Sequence, residues 1–172
     1  PAVGAPPPGY GPAGPAGPVP PGGPIPPGYP GGPTGGGTGG STAQSLVVEE
    51  DDPALCGALG TVANARGGFR GAGYLDTEDL PGAGISWVVH ATAAGQYELG
   101  WRYASDGATR QARLRIAHEH AQDVEFPPPE DGAWGDRVVT ATLAAGDNHL
   151  SLVAQEAVGL PDIDSLTVYG AG

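Results

Sequence analysis

Alternation of apolar and polar side chains at a period of two runs through most of residues 85–168. Ile85, Trp87 and Val89 alternate with Ser86, Val88 and His90, and Tyr97, Leu99, Trp101 and Tyr103 alternate with Gln96, Glu98, Gly100 and Arg102. Ala112, Leu114 and Ile116 follow, then Val139, Ala141 and Leu143, Leu150 and Leu152, and finally Ile163, Leu166 and Val168 with one skip. Such a pattern lays one face of a strand on a core and the other in water. Turn signals punctuate it: PGAG at 81–84, SDGA at 105–108, EDGAWGD at 130–136 and AAGDN at 144–148. No stretch carries a helical period. Short, half-wet strands joined by glycine turns predict an all-β fold, an antiparallel β-sandwich, with Trp87 and Trp101 in its core.

Residues 1–44 obey a different rule. They contain no charged side chain and hold 14 of the 20 prolines and 15 of the 32 glycines. With almost nothing apolar to bury, such a segment cannot offset the entropy of ordering itself, so it is expected to be a disordered Pro/Gly-rich linker. GPAGPAGPV keeps glycine at every third place, but Pro20 breaks the register, which argues against collagen. PPGY occurs at 7–10 and 26–29; proline-rich linkers generate such tetrapeptides readily. All 26 charged residues therefore fall in 45–172, a single domain of ordinary size.

The net charge of −12 argues against nucleic acid and anionic membrane as partners, since both demand a positive face. No run of about 20 apolar residues could span a membrane. Cys56 is the one cysteine, so no disulfide forms within the chain. A start at Pro1 rather than Met suggests a fragment or a processed form. The domain opens on VVEEDDPAL, residues 47–55, where four carboxylates stand in a row. Such a run either faces water or holds something positive among its charges.

Six pieces of the domain stand in a recognisable order: VVEEDDPAL, GGFRGAGYLD, AGQYELGWRYA, the loop tryptophan of DGAWGD, LAAGDNHLSL and the closing GLPDIDSLTVYG. In this order they resemble the carbohydrate-binding modules of families 6 and 35, galactose-binding-like jelly rolls appended to polysaccharide-degrading enzymes. The resemblance covers residues 45–172 and none of 1–44. It implies a non-catalytic module on a linker, tethering an attached upstream domain to a polysaccharide or oligosaccharide in an extracellular or cell-surface setting.

The resemblance also implies a structural Ca2+ at one edge of the sandwich. Its ligands would be Glu49 and Asp51, two apart on a first strand and so pointing the same way, with Asp164 and a backbone carbonyl near Phe69 or Arg70. Asp51 stands where relatives carry the longer Glu. Trp134 lies in a polar loop, where a large aromatic either lids the core or serves a ligand. The resemblance assigns it to a sugar, with Tyr74 as the other wall and Asp76 accepting from hydroxyls. Asp162 replaces the asparagine that many relatives use to bond the sugar. A carboxylate accepts but cannot donate, which favours neutral sugars; Arg102 and Arg70 keep an acidic glycan open.

Nothing in the domain marks it as a catalyst. A carboxylate pair is found by chance in so acidic a chain. His118, Glu119 and His120 lack the spacing of a zinc-protease helix and have no evident third ligand, although two histidines on one strand face could meet a metal. No nucleophile elbow is present. The competing reading is a structural or adhesive β-sandwich without sugar specificity, and a protein ligand is a third.

Overall fold

The computed structural model describes residues 45–170, so the expected linker at 1–44 lies outside the described residues. Eleven strands form two antiparallel sheets with no α-helix among them: β1 Ser45–Val48, β2 Leu55–Ala58, β3 Gly60–Ala63, β4 Tyr74–Thr77, β5 Gly84–Ala91, β6 Gly95–Ala104, β7 Arg110–Ile116, β8 Glu119–Phe126, β9 Gly135–Leu143, β10 Gly146–Ala154 and β11 Asp162–Tyr169. One sheet runs β3-β4-β11-β6-β9 with β1 also on β11; the other runs β2-β5-β10-β7-β8. This is the antiparallel sandwich that the alternation predicts.

The two inner faces interdigitate. Leu99, Trp101, Ile163 and Leu166 from the first sheet meet Ile85, Trp87, Leu114, Phe126, Leu150 and Leu152 from the second, all 2 % exposed or less. Across the gap, Phe126 takes the ring of Trp101 at 6.1 Å and that of Tyr103 at 5.0 Å, both edge-on. The Tyr103 hydroxyl, at the margin of this cluster, donates to the Pro127 carbonyl at 2.6 Å. Trp87 and Trp101 are therefore core residues.

The skip in the last run has a structural cause. β11 carries a bulge: its register against β6 shifts between Ile163 and Ser165, so Ile163 and Leu166 both face inward although three apart. The extra residue is Asp164. Along the opposite edge of β11, β4 meets it at Ile163 and β1 meets it from Leu166 to Tyr169. These two strands leave Asp164 and Ser165 between them, and there the acidic run after β1 and the loop before β4 fold together.

The HEH segment does not form one strand face as expected. Ala117 and His118 both have positive φ, 50° and 69°, and make the tip of the β7–β8 hairpin. His118 stacks on His149 with ring centroids 5.9 Å apart and lies outside β8, whereas His120 lies within it. No group of three His, Cys, Asp or Glu able to hold a metal occurs among the described residues.

Leu114 sits centrally on the second sheet, fully buried. Truncation to Ala is expected to cost about 2–5 kcal/mol, read by denaturant unfolding, because a packed core cannot close over the void. Val138→Ala, at a site 46 % exposed, should change stability by less than about 1 kcal/mol.

Candidate functional site

The acidic run is a turn, not a strand. β1 ends at Val48, and the Asp52 amide donates to the Glu49 carbonyl at 3.2 Å. Asp52 is used locally, its Oδ1 accepting from the Ala54 amide at 2.7 Å. The expectation that Glu49 and Asp51 converge because they alternate along one strand therefore fails, and Asp51 is left exposed in the turn. The neighbour that the pattern passed over does converge. Glu50 Oε1 accepts from the amides of Ala72 and Gly73 at 2.5 and 2.9 Å.

Gly71 sits at the centre of this arrangement with φ at 65°. A Cβ on it would lie 2.8 Å from Glu49 Oε2 and 2.9 Å from Glu50 Oε1, so two carboxylates crowd one glycine. The same backbone conformation also suits only glycine without strain. Glu50 Oε2 is buried and has no hydrogen-bond partner, and the same holds for Ser165 Oγ, next in sequence to Asp164. A buried, unsatisfied carboxylate oxygen beside a second carboxylate is costly unless a cation shares the space.

Asp164, with its side chain fully buried, is committed elsewhere. Its Oδ1 accepts from the Arg70 amide at 2.8 Å, and its Oδ2 pairs with Arg102 Nη1 at 2.5 Å. Arg102 Nη2 donates to the Gly68 carbonyl at 2.9 Å. One ion pair thus pins the loop of residues 64–73 to the sheet, while Glu50 holds the loop's far end. Arg70 takes part through its backbone amide. Of the four predicted metal residues, Glu49 stands in the carboxylate pair, Asp164 and Arg70 stand in the adjoining clamp, and Asp51 stands apart.

The predicted sugar residues gather on the other side of the same loop. Tyr74 on β4 is 5 % exposed, and its ring meets that of Trp134 edge-on at 5.4 Å. Phe69 lies 6.1 Å beyond Tyr74. Trp134, partly exposed, follows a short 3-10 turn at Glu130–Gly132. Its indole N–H donates to the Gly67 carbonyl at 2.9 Å, and the Arg102 guanidinium lies 5.0 Å from its ring centroid. Trp134 is thus fixed in orientation without being swallowed. Tyr74 is buried and in contact with Trp134, so it backs an aromatic ledge whose open ring is that of Trp134 and is not the second wall of a cleft.

Beside the ledge lies a network that reading the sequence missed. Arg66 donates from Nε to Asp162 at 2.9 Å, from Nη2 to Asp106 at 2.6 Å and from Nη1 to the Gly132 carbonyl at 3.4 Å, while its amide donates to the Tyr74 hydroxyl at 3.3 Å. Burial pushes the Asp162 carboxyl above its usual range despite Arg66, and the charges of Asp76 and Asp106 push the same way. Hydrogen bonding to Asp106 and Asp162 raises the Arg66 guanidinium, against the pull of burial. Asp76 is exposed, two residues after Tyr74 on the same outward side of β4. Arg66 is one polar residue of a glycine-rich loop, and nothing in its neighbours in sequence announces partners 40 and 96 positions away.

An acid whose pKa is raised on folding binds its proton more tightly in the folded state. Asp162 therefore lends stability below its unfolded pKa that is lost as pH rises through its folded value. Asp162→Asn removes that loss and keeps an acceptor for Arg66. The melting temperature of the variant relative to wild type should be higher at pH 7 than at pH 4. Equal differences at both would show that Asp162 ionises freely.

No family model matches the chain. The endo-1,4-beta-xylanase B of Cellvibrio japonicus (strain Ueda107) is 35 % identical over 129 residues, 73 % of this chain and 22 % of the enzyme. The match thus spans about a fifth of that relative. Among solved structures, a CBM35 of Cellvibrio japonicus, from Abf62, superposes with a TM-score of 0.72 at 34 % identity, covering 75 % of this chain and 95 % of that one. The module Xyl-CBM35, in complex with a glucuronic acid-containing disaccharide, gives 0.70 at 34 %, covering 74 % and 94 %. What this chain shares is nearly the whole of each solved module and only a fraction of the enzyme, so the shared part is the non-catalytic one. The chain belongs to family 35 of the carbohydrate-binding modules.

Proposed function

We propose that this module binds a neutral polysaccharide at the Trp134–Tyr74 ledge and so holds an attached catalytic domain close to its substrate outside the cell. The observation that supports this most is the setting of Trp134: an indole pinned by Arg102 and Gly67, partly exposed, with Asp76 and Asp162 alongside to accept from hydroxyls. Pyranose rings offer a C–H face to an aromatic surface, and polar groups at its margin read orientation. Immobilising the ledge in advance lowers the entropy cost of binding. Tethering then acts by effective concentration, without any chemistry from the module.

A neutral sugar is favoured by the charges. Asp106 and Asp162 flank Arg66 and balance its charge, and its third hydrogen bond goes to the Gly132 carbonyl. Arg102 is likewise paired with the buried Asp164 carboxylate and donates to the Gly68 carbonyl. A uronate would add a negative charge where both guanidinium charges are already balanced by carboxylates. The relative that holds a glucuronic acid-containing disaccharide makes the acidic glycan the comparison to test.

The same proposal includes a structural Ca2+, and the donors present fit it. Glu49 and Glu50 would hold the ion with backbone carbonyls of the adjoining loop, hard oxygens of the kind Ca2+ takes. Its charge would offset the repulsion of the pair and occupy the buried Glu50 Oε2. Asp164 would shape the loop through the Arg70 amide while Arg102 neutralises it.

Two measurements check this reading. Chelation should lower the melting temperature; at a free Ca2+ a hundredfold above Kd the stabilisation is about 2.7 kcal/mol. Glu50→Gln should remove most of that dependence and Glu119→Gln, on the exposed hairpin, should leave it; a melting temperature indifferent to chelation ends the calcium proposal. In affinity electrophoresis on neutral xylan, Trp134→Ala should weaken retention by about tenfold. Absence of wild-type retention on neutral and acidic polysaccharides alike ends the binding proposal.

A further inference from the structure

We infer that the outward face of the β6-bearing sheet around Tyr169 is a second sugar-binding surface, over which a neutral polysaccharide chain continues from the Trp134 ledge. The inference rests on the reading of this chain as a polysaccharide binder. Tyr169 closes β11 and is 39 % exposed; no other Phe, Tyr or Trp ring among the described residues is so open to solvent. An aromatic left outside on a strand whose other apolar residues turn inward is not used for the core.

Gly100 shows how the ring is seated. Glycine in the middle of a strand costs roughly 0.5–1 kcal/mol relative to Ala and marks a place where something approaches closely. A Cβ on Gly100 would stand 3.2 Å from Tyr169 Cε2 and 3.4 Å from Val138 Cγ2. Tyr169 pairs across from Glu98, two residues away, so its ring leans along the sheet to cover Gly100 and does not stand upright. Glycine lets Tyr169 and Val138 meet over the strand as one low apolar surface.

The register supplies the rest. One cross-strand row reads Val47, Thr167, Gly100, Val138, and the next reads Ser45, Tyr169, Glu98, Thr140. Val47 and Val138 are 41 % and 46 % exposed. A flat aromatic and two valines suit the C–H face of a pyranose, and Thr167, Thr140 and Glu98 at their margins suit its hydroxyls. Glu98 disfavours a uronate there. The surface also continues the ledge: Arg102, which covers Trp134, and Gly100 are two apart on the same side of β6, about 7 Å along the strand. Three apolar side chains parted by Gly100 and Thr167 fall far short of the ~800 Å² per partner that a stable protein interface buries, which favours a sugar over a second copy of the chain.

The test uses the full chain, a xylan free of uronic acid, and a disaccharide derived from it. Tyr169→Ala and, independently, Val138→Glu should weaken retention on the xylan at least about threefold, the stacking of one ring. Both should leave disaccharide affinity and melting temperature unchanged, whereas Trp134→Ala should weaken disaccharide and xylan binding together. Wild-type retention by both Tyr169→Ala and Val138→Glu overturns the second surface, and a loss with Trp134→Ala in the same experiment leaves the ledge standing. A lower sedimentation coefficient in Tyr169→Ala with unchanged retention also overturns it, making the face a contact between copies. If wild type is not retained at all, ledge and second surface fall together.

Discussion

The buried pair of Arg102 and Asp164 holds the functional end of this molecule together. Asp164 is wholly enclosed, and its two oxygens tie the Arg70 amide to the Arg102 guanidinium. Removing one partner of such a pair typically costs 3–5 kcal/mol, because the other charge is stranded in a poor solvent. Arg102 meanwhile reaches Gly68 and lies over Trp134. A single guanidinium therefore fixes a carboxylate, a loop and an indole at once. The β11 bulge makes this possible by turning one extra side chain toward the outer face at the point where β1 and β4 leave room.

The two proposed sites are opposite sides of one loop. On one side Glu49 and Glu50 crowd Gly71; on the other, Gly67 and Gly68 cradle Trp134. A cation bound by the carboxylates would stiffen the loop from below and reach the sugar ledge without touching a sugar, a coupling through a shared rigid segment. Such an ion would thereby have a physical connection to the proposed binding. Asp162 fits the same pattern of charge: its carboxylate recruits Arg66, which braces Asp106 and the turn at Gly132.

The resemblance to enzyme-borne modules has a clear structural content. Nearly the whole of each solved family 35 module superposes on this chain, while the enzyme relative extends far beyond the match. The shared object is the sandwich, and loops and outer faces on such a scaffold leave room for variety. Here that variety takes the form of an acid-lined ledge and an exposed Tyr169 lying over Gly100.

The strands were legible because side-chain alternation is a local consequence of the pleat: Ile85, Trp87, Leu99, Trp101 and Leu114 announce their burial through their immediate neighbours. Even the bulge left a trace, as a broken period at Ile163 and Leu166. The aromatic site was partly legible, since a tryptophan in a polar loop is out of place locally. The acidic run was misread in detail because strand alternation was carried past Val48, where the backbone turns and brings Glu50, not Asp51, to the loop amides. Arg66 with Asp162, Arg102 with Asp164 and Tyr169 with Gly100 could be paired only by the fold. Each joins residues on different strands or loops, and their distances follow from sheet order and register, which no local pattern encodes. The sequence by itself determined which faces are apolar; tertiary structure decided which charges meet, because that depends on how those faces stack.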